Sequence, residues 1–298
     1  MDDWPIIPDD AVDWFRTAFS EANRVTTERL DNVPNIRETT LDDTLIDALI
    51  DYSAPRLLGS GAIVRMEIHN IGGLRRVSRW ETADIAVLVS VHRGGGLIAQ
   101  KIGLLQSKRL YPERGHVDDE DSFEFRLGMN RFLYPEPKLS LSSLSTRFRF
   151  STRSRYQALT QSTDQIDQIA RFNSRLSDAI YYLFFNPSVV PLAVEYPLTA
   201  RRRIDRPTLG CRVYRADTIE DAVKKLRGHQ GPMLQTLEAA GQSSNWRLEY
   251  WAADLLLKCK VGARLDSSSS ELADSILYRR SGPIGAAVSA SIHLPDER

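Results

Sequence analysis

"KIGLLQSKRLYP", residues 101–112, is an apolar run that acquires an amide, a hydroxyl and an ammonium before Pro112 stops it. Side chains alternate across a strand, so Leu104, Gln106 and Lys108 share one face while Leu105 and Ser107 share the other. A polar pair therefore stands where a strand leaves its core.

The surrounding pattern says what kind of sheet holds that strand. "GAIVRMEIHNIGG" (61–73), "WETADIAVLVSVHRGGG" (80–96) and "GLIAQKIGLLQSKRLYP" (96–112) are successive runs rich in Val, Ile and Leu, divided by glycine turns. They predict three adjacent strands in a meander. Upstream, Trp14, Phe15, Ala18, Ala22 and Val25 recur at helical spacing from Asp9, and Asn32 to Pro34 ends the run. A second helix is expected from Thr40, with the threonine as cap, Asp42 and Asp43 complementing the positive helix end, and Leu41, Leu45, Ile46 and Leu49 facing inward.

Downstream, "STDQIDQIARFNSRL" (162–176) predicts a helix and "AIYYLFFNP" (179–187) a buried strand stopped by Asn-Pro. A strand near 209–215, helices near 217–228, 246–258 and 270–278, and a last strand "GAAVSASIHL" (285–294) follow. This order predicts an α/β (α+β) fold in which helices flank a central mixed sheet. It divides the chain into a helical segment (1–39), a core (40–187) with an irregular insertion at 113–155, and an α/β extension (188–298).

The chain has 298 residues, 39 basic and 39 acidic, so no global charge draws it to a polyanion and any such binding needs a local basic face. Cys211 and Cys259 have no CxxC or Cys/His partners at metal spacing, so reduced, buried thiols are expected. The start, "MDDWPIIPDD", is acidic where a secretory signal is basic, and no run is long enough to span a bilayer. A cytoplasmic protein with no membrane association is the expectation.

Each of the three strand runs carries a polar intruder: Glu67, then Asp84, then Gln106 with Lys108. Buried carboxylates need partners, which are each other, a lysine or a cation. Two carboxylates and an amide oxygen are hard ligands of the kind Mg²⁺ takes, and Lys108 would orient a water or steady negative charge at phosphorus. The same residues also fit strand ends reaching water, or a closed ion pair. Asp43, Asp47 and Asp51 compete with Glu67 as the additional acid.

These residues resemble the PD-(D/E)XK nuclease superfamily: "TAD" (82–84) looks like its aspartate half-motif and "QSK" (106–108) like its (E/Q)xK half-motif. The resemblance covers about residues 40–187. No proline precedes Asp84, and Gln106 stands where many members have glutamate, as in the subset similar to Mrr-type restriction nucleases and phage-defence effectors. It implies a restriction-endonuclease-like core and an endonuclease that hydrolyses DNA with Mg²⁺, Mn²⁺ being possible. Asp84, Gln106, Lys108 and Glu67 would be catalytic, with Glu67, Asp84 and Gln106 on the metal. A homo-oligomer or a partner defence subunit fits that context. The alternative is a non-catalytic nucleic-acid-binding or assembly protein that retains the sheet.

For DNA, "TRFRFSTRSRYQ" (146–157) interleaves Arg147, Arg149, Arg153 and Arg155 with Phe148, Phe150 and Tyr156. Arginine forks suit phosphate and aromatic faces suit unpaired bases, although an edge strand protected by outward arginines reads the same way. "ARRRIDR" (200–206) is a second basic cluster with the same two readings. Gln165 and Gln168 are weaker candidates on the helix after QSK.

Overall fold

The computed structural model describes residues 4–70, 83–113, 146–159, 179–196, 198–226, 231–241, 244–265 and 284–296. The expected helices at 162–176 and 270–278, with Gln165 and Gln168, lie outside them.

Two helices open the chain. Helix α1 (Asp9–Asn32) carries Asp9 and Asp10 in its first turn, where their charge suits the helix dipole. Its apolar stripe, from Val12 through Phe15, Phe19 and Ala22 to Leu30, is buried. Helix α2 (Glu38–Leu49) packs on α1 and begins two residues before Thr40. That shift brings Glu38 into the helix.

Eleven strands follow among the described residues: β1 (Arg56–Leu57), β2 (Ile63–Asn70), β3 (Ala83–Arg93), β4 (Gly96–Arg109), β5 (Thr146–Phe150), β6 (Ile180–Phe185), β7 (Leu192–Tyr196), β8 (Arg212–Arg215), β9 (Trp246–Arg247), β10 (Ala263–Arg264) and β11 (Ile284–Leu294). Nine form one mixed sheet in the order β1-β2-β11-β3-β4-β6-β8-β9, with β10 set against β4. The expected α/β architecture with a central mixed sheet is present. Strands β5 and β7 form a separate antiparallel pair.

The meander is only half realised. Strands β3 and β4 form the expected hairpin, turning through Gly94 and Gly95, whose positive φ values of 58° and 79° suit a tight turn matched to strand twist. Strand β2 does not touch β3. The last strand, β11, enters between them, antiparallel to β2 and parallel to β3. One of its faces, Ile284, Ala286, Val288, Ala290 and Ile292, is apolar and buried, and the other carries the small residues Gly285, Ala287, Ser289 and Ser291. Residues 188–298 therefore supply strands to the main sheet, and α1 is fastened to them by the bidentate Arg16–Asp254 pair and the buried Asn23–Glu249 hydrogen bond.

Strand β6 runs parallel to β4, with Leu104 opposite Ile180 and Lys108 opposite Phe184. Residues 180–185 are buried throughout, so this strand is held on both faces. No helix among the described residues is long and apolar enough to cross a membrane.

Candidate active site

Strand β4 outruns β3, and the site lies where it does. The register sets Ile85 opposite Leu105, which brings Asp84 level with Gln106. On the other side, the N–H groups of Leu104 and Leu110 donate to Ala179 and Phe185, so even-numbered amides of this stretch point to β6. The odd-numbered amides, Ser107 and Arg109, lie beyond the last β3–β4 register pair, Ile85 with Leu105, and side chains meet them instead of strand carbonyls. Buried N–H groups need acceptors, and two carboxylates supply them. Asp84 Oδ2 accepts from Ser107 N at 2.7 Å, and Glu38 Oε2 accepts from Arg109 N at 2.9 Å.

The side chains converge on the same acids. Gln106 Nε2 and Ser107 Oγ both donate to Asp84 Oδ2, the latter at 3.0 Å. Ser107 Oγ also lies 3.1 Å from Asp42 Oδ2. Lys108 Nζ donates to Glu38 Oε1 at 3.3 Å. Arg109 braces this strand end, donating to Pro34 O at 2.9 Å and lying over the Tyr111 ring. Gln106, Ser107, Lys108 and Arg109 are each 5% exposed or less.

The electrostatics follow from burial and charge count. Glu38, Asp42 and Asp84 share the neighbourhood with one ammonium, Lys108. Burial, then the charges of Asp84 and Glu38, raise Asp42 well above the usual carboxylate range. Burial also raises Glu38, against the pull of Lys108. For Lys108 burial lowers the pKa, but Glu38, Asp84 and Asp42 outweigh it and the net shift is upward. Lys108 is thus a held cation and a donor, and a poor proton acceptor.

The cluster has spare acceptors. Among the described residues, Asp42 Oδ1 and Gln106 Oε1 are buried without a hydrogen-bond partner. Excess negative charge and unpaired oxygens are what a hard cation would satisfy, and the donor set of two aspartates and an amide oxygen fits Mg²⁺ or Mn²⁺. As arranged, however, no three His, Cys, Asp or Glu side chains among the described residues form a ready metal-holding group.

Of the sequence candidates, Asp84, Gln106 and Lys108 come together and Glu67 does not. Glu67 pairs with Ser289 on β11, which pairs in turn with Leu88 on β3. It is therefore two strands across and four residues along from Asp84, roughly 10 Å by 13 Å at ordinary strand spacings. There it is half exposed and paired with Arg65 at 2.8 Å. Asp43, Asp47 and Asp51 point to water. The acids that join this cluster are Glu38 and Asp42, one helical turn apart on the side of α2 that buries Leu41 and Leu45.

The arginine strip alternates cleanly on β5. Arg147 and Arg149 are exposed, while Phe148 and Phe150 are buried. Tyr156 is also buried, its hydroxyl donating to Asn186 Oδ1 at 2.6 Å. Base stacking by these three rings is excluded, because their faces belong to the core. Arg153 is exposed and Arg155 donates to Gly231 O at 2.8 Å. The strip meets the site's own strand, since Tyr111 N donates to Arg155 O and Glu113 N to Arg149 O. In the second cluster, Arg201 pairs with Glu28 of α1 and Arg202 exchanges hydrogen bonds with Asn32. That cluster docks a loop.

No protein-family model matches the chain, and neither a curated protein nor a solved structure matches it.

Proposed function

We propose that this chain is a metal-dependent endonuclease of the PD-(D/E)XK type that hydrolyses phosphodiester bonds in DNA, in a restriction or anti-phage setting. The observation that carries the reading is the buried convergence of Asp84, Gln106 and Lys108 with Glu38 and Asp42, in which Asp42 Oδ1 and Gln106 Oε1 lack partners. The helix, hairpin and parallel strand order of α2, β3, β4 and β6 supports the same reading, and the entry of β11 beside β3 is a departure from that core.

Asp84, Asp42 and the Gln106 oxygen would hold Mg²⁺ or Mn²⁺. When bound, the cation would supply Lewis-acid polarisation of a phosphoryl oxygen and a more acidic water. Lys108, kept charged by its carboxylates, would donate to the oxygen that gains negative charge at phosphorus. Glu38 positions that ammonium while capping Arg109 N. Arg147, Arg149 and Arg153 would contact backbone phosphates without reading bases.

The test is plasmid cleavage with Mg²⁺ or Mn²⁺ by wild type and by Lys108→Met. Cleavage by wild type and its loss in the variant support the proposal. Wild type inert toward supercoiled, linear and single-stranded DNA with both metals would overturn it.

A second reading is favoured by one observation. Asp84 and Glu38 already serve as acceptors for Ser107 N and Arg109 N, work that a non-catalytic protein retaining this sheet would also need done. Under it, Asp84→Asn, which keeps an oxygen for Ser107 N, changes nothing measurable in metal or DNA binding.

A further inference from the structure

Lys101 lies on the site's strand but away from the site, and its partner is a sulfur. It is 2% exposed, and its Nζ donates to Cys259 Sγ at 3.1 Å. A buried lysine ordinarily finds a carboxylate. Burial lowers the pKa of this one, with Cys259 pulling the other way, which makes the neutral amine more accessible.

The fold holds the two groups together. The chain leaves the π-helical turn Trp251–Leu256 and reverses at Cys259, whose φ is 57°, with Cys259 N donating to Leu256 O at 3.0 Å. Gly262, at φ 83°, then presses against β4, where an added Cβ would lie 2.7 Å from Ile102 O. Its N–H donates to the Tyr181 hydroxyl at 2.9 Å, and β10 pairs directly with Ile102 and Lys101. The sulfur is therefore pinned beside the amine from both directions. Cys259 is half-buried, whereas a buried thiol is expected from sequence, and that exposure gives a small oxidant an approach to it.

We propose that Cys259 and Lys101 are a peroxide-responsive pair that closes to a reversible Sγ–Nζ bond. In the first step sulfur attacks hydrogen peroxide: the S–O bond forms, the O–O bond breaks, and water leaves, giving the sulfenic acid. In the second, the neutral Lys101 amine attacks sulfur: the S–N bond forms, the S–O bond breaks, and hydroxide leaves with the amine proton as water. Two thiol equivalents reduce the link back to thiol and amine, releasing a disulfide. The bond would staple β4 to the loop behind the π-helical turn.

The test is intact mass and peptide mapping of the full chain after hydrogen peroxide, for wild type, Cys259→Ser and Lys101→Met, with folding checked by circular dichroism. Expected is a loss of the mass of two hydrogens in wild type, a fragment joining residues 101 and 259, and reversal by dithiothreitol. Lys101→Met should stop at the sulfenic acid, trapped by dimedone, and Cys259→Ser should not react. Cys211 is the internal control, buried and pushed up to about 12. An unchanged mass, a stable sulfenic acid in wild type, a linked product retaining an oxygen, or a disulfide dimer overturns the proposal.

Discussion

Asp42→Asn should make the protein more stable and less active at once. The Asp42 carboxylate is buried near Asp84 and Glu38 and one of its oxygens has no partner, so its ionisation opposes folding. A buried unsatisfied polar group costs about 1–3 kcal/mol, and each pKa unit of upward shift adds about 1.4 kcal/mol. The neutral amide should remove about 1–3 kcal/mol of this penalty at pH 8. With an unfolding entropy of about 2.1 cal/mol/K per residue, the melting temperature rises by roughly 2–5 °C. The sign depends on pH in a definite way. A carboxyl raised in the folded state holds its proton there longer than in the unfolded chain, so stability falls as pH climbs from 3.8 through the folded value. The gain from Asp42→Asn is therefore largest at pH 8 and shrinks toward pH 4. Urea unfolding of both proteins across that range is the assay. A variant less stable at pH 8, or a difference that does not change with pH, would mean that the Asp42 carboxylate does not oppose folding.

Lys108→Met strands Glu38 and should cost about 3 kcal/mol, whereas Lys108→Met with Glu38→Gln should recover most of that stability and none of the cleavage; urea unfolding beside plasmid nicking separates the two. Glu67→Ala should leave metal binding and cleavage unchanged and shift stability by about 0.5 kcal/mol or less, because its ion pair with Arg65 is open to solvent and screened. Phe150→Ala should cost about 3–5 kcal/mol as a core truncation, while Arg147→Ala with Arg149→Ala should leave stability alone, weaken DNA binding and flatten its salt dependence by about one unit per lost phosphate contact; fluorescence anisotropy against salt measures this.

The meeting of Asp84 with Gln106 is legible in the sequence because strand alternation and a glycine-tipped hairpin fix the register. Asp84 meets Gln106 once Gly94 and Gly95 close the turn. Glu67 lies away from the cluster because adjacency in sequence does not make β2 adjacent to β3, and nothing local in the sequence announces that β11 will separate them. Glu38 is hidden in the sequence because Thr40 is the stronger cap signal, whereas the helix starts at Glu38 itself. Asp42 suits the helix dipole on sequence grounds, but its place one turn from Glu38 beside Leu41 and Leu45 marks it as buried. The rings of Phe148, Phe150 and Tyr156 looked available because alternation marks two faces without saying which is wet. Here β7 and Asn186 claim them.

Whether these acids hold a divalent cation is decided by calorimetric titration of Mg²⁺ and Mn²⁺ into wild type and Asp84→Asn, with and without a DNA duplex. Expected is saturable binding to wild type that tightens as pH rises and releases protons, since Asp42 must ionise to bind, and at least a tenfold weakening in Asp84→Asn. No binding to wild type under any of these conditions, or equal binding by both proteins, would contradict it.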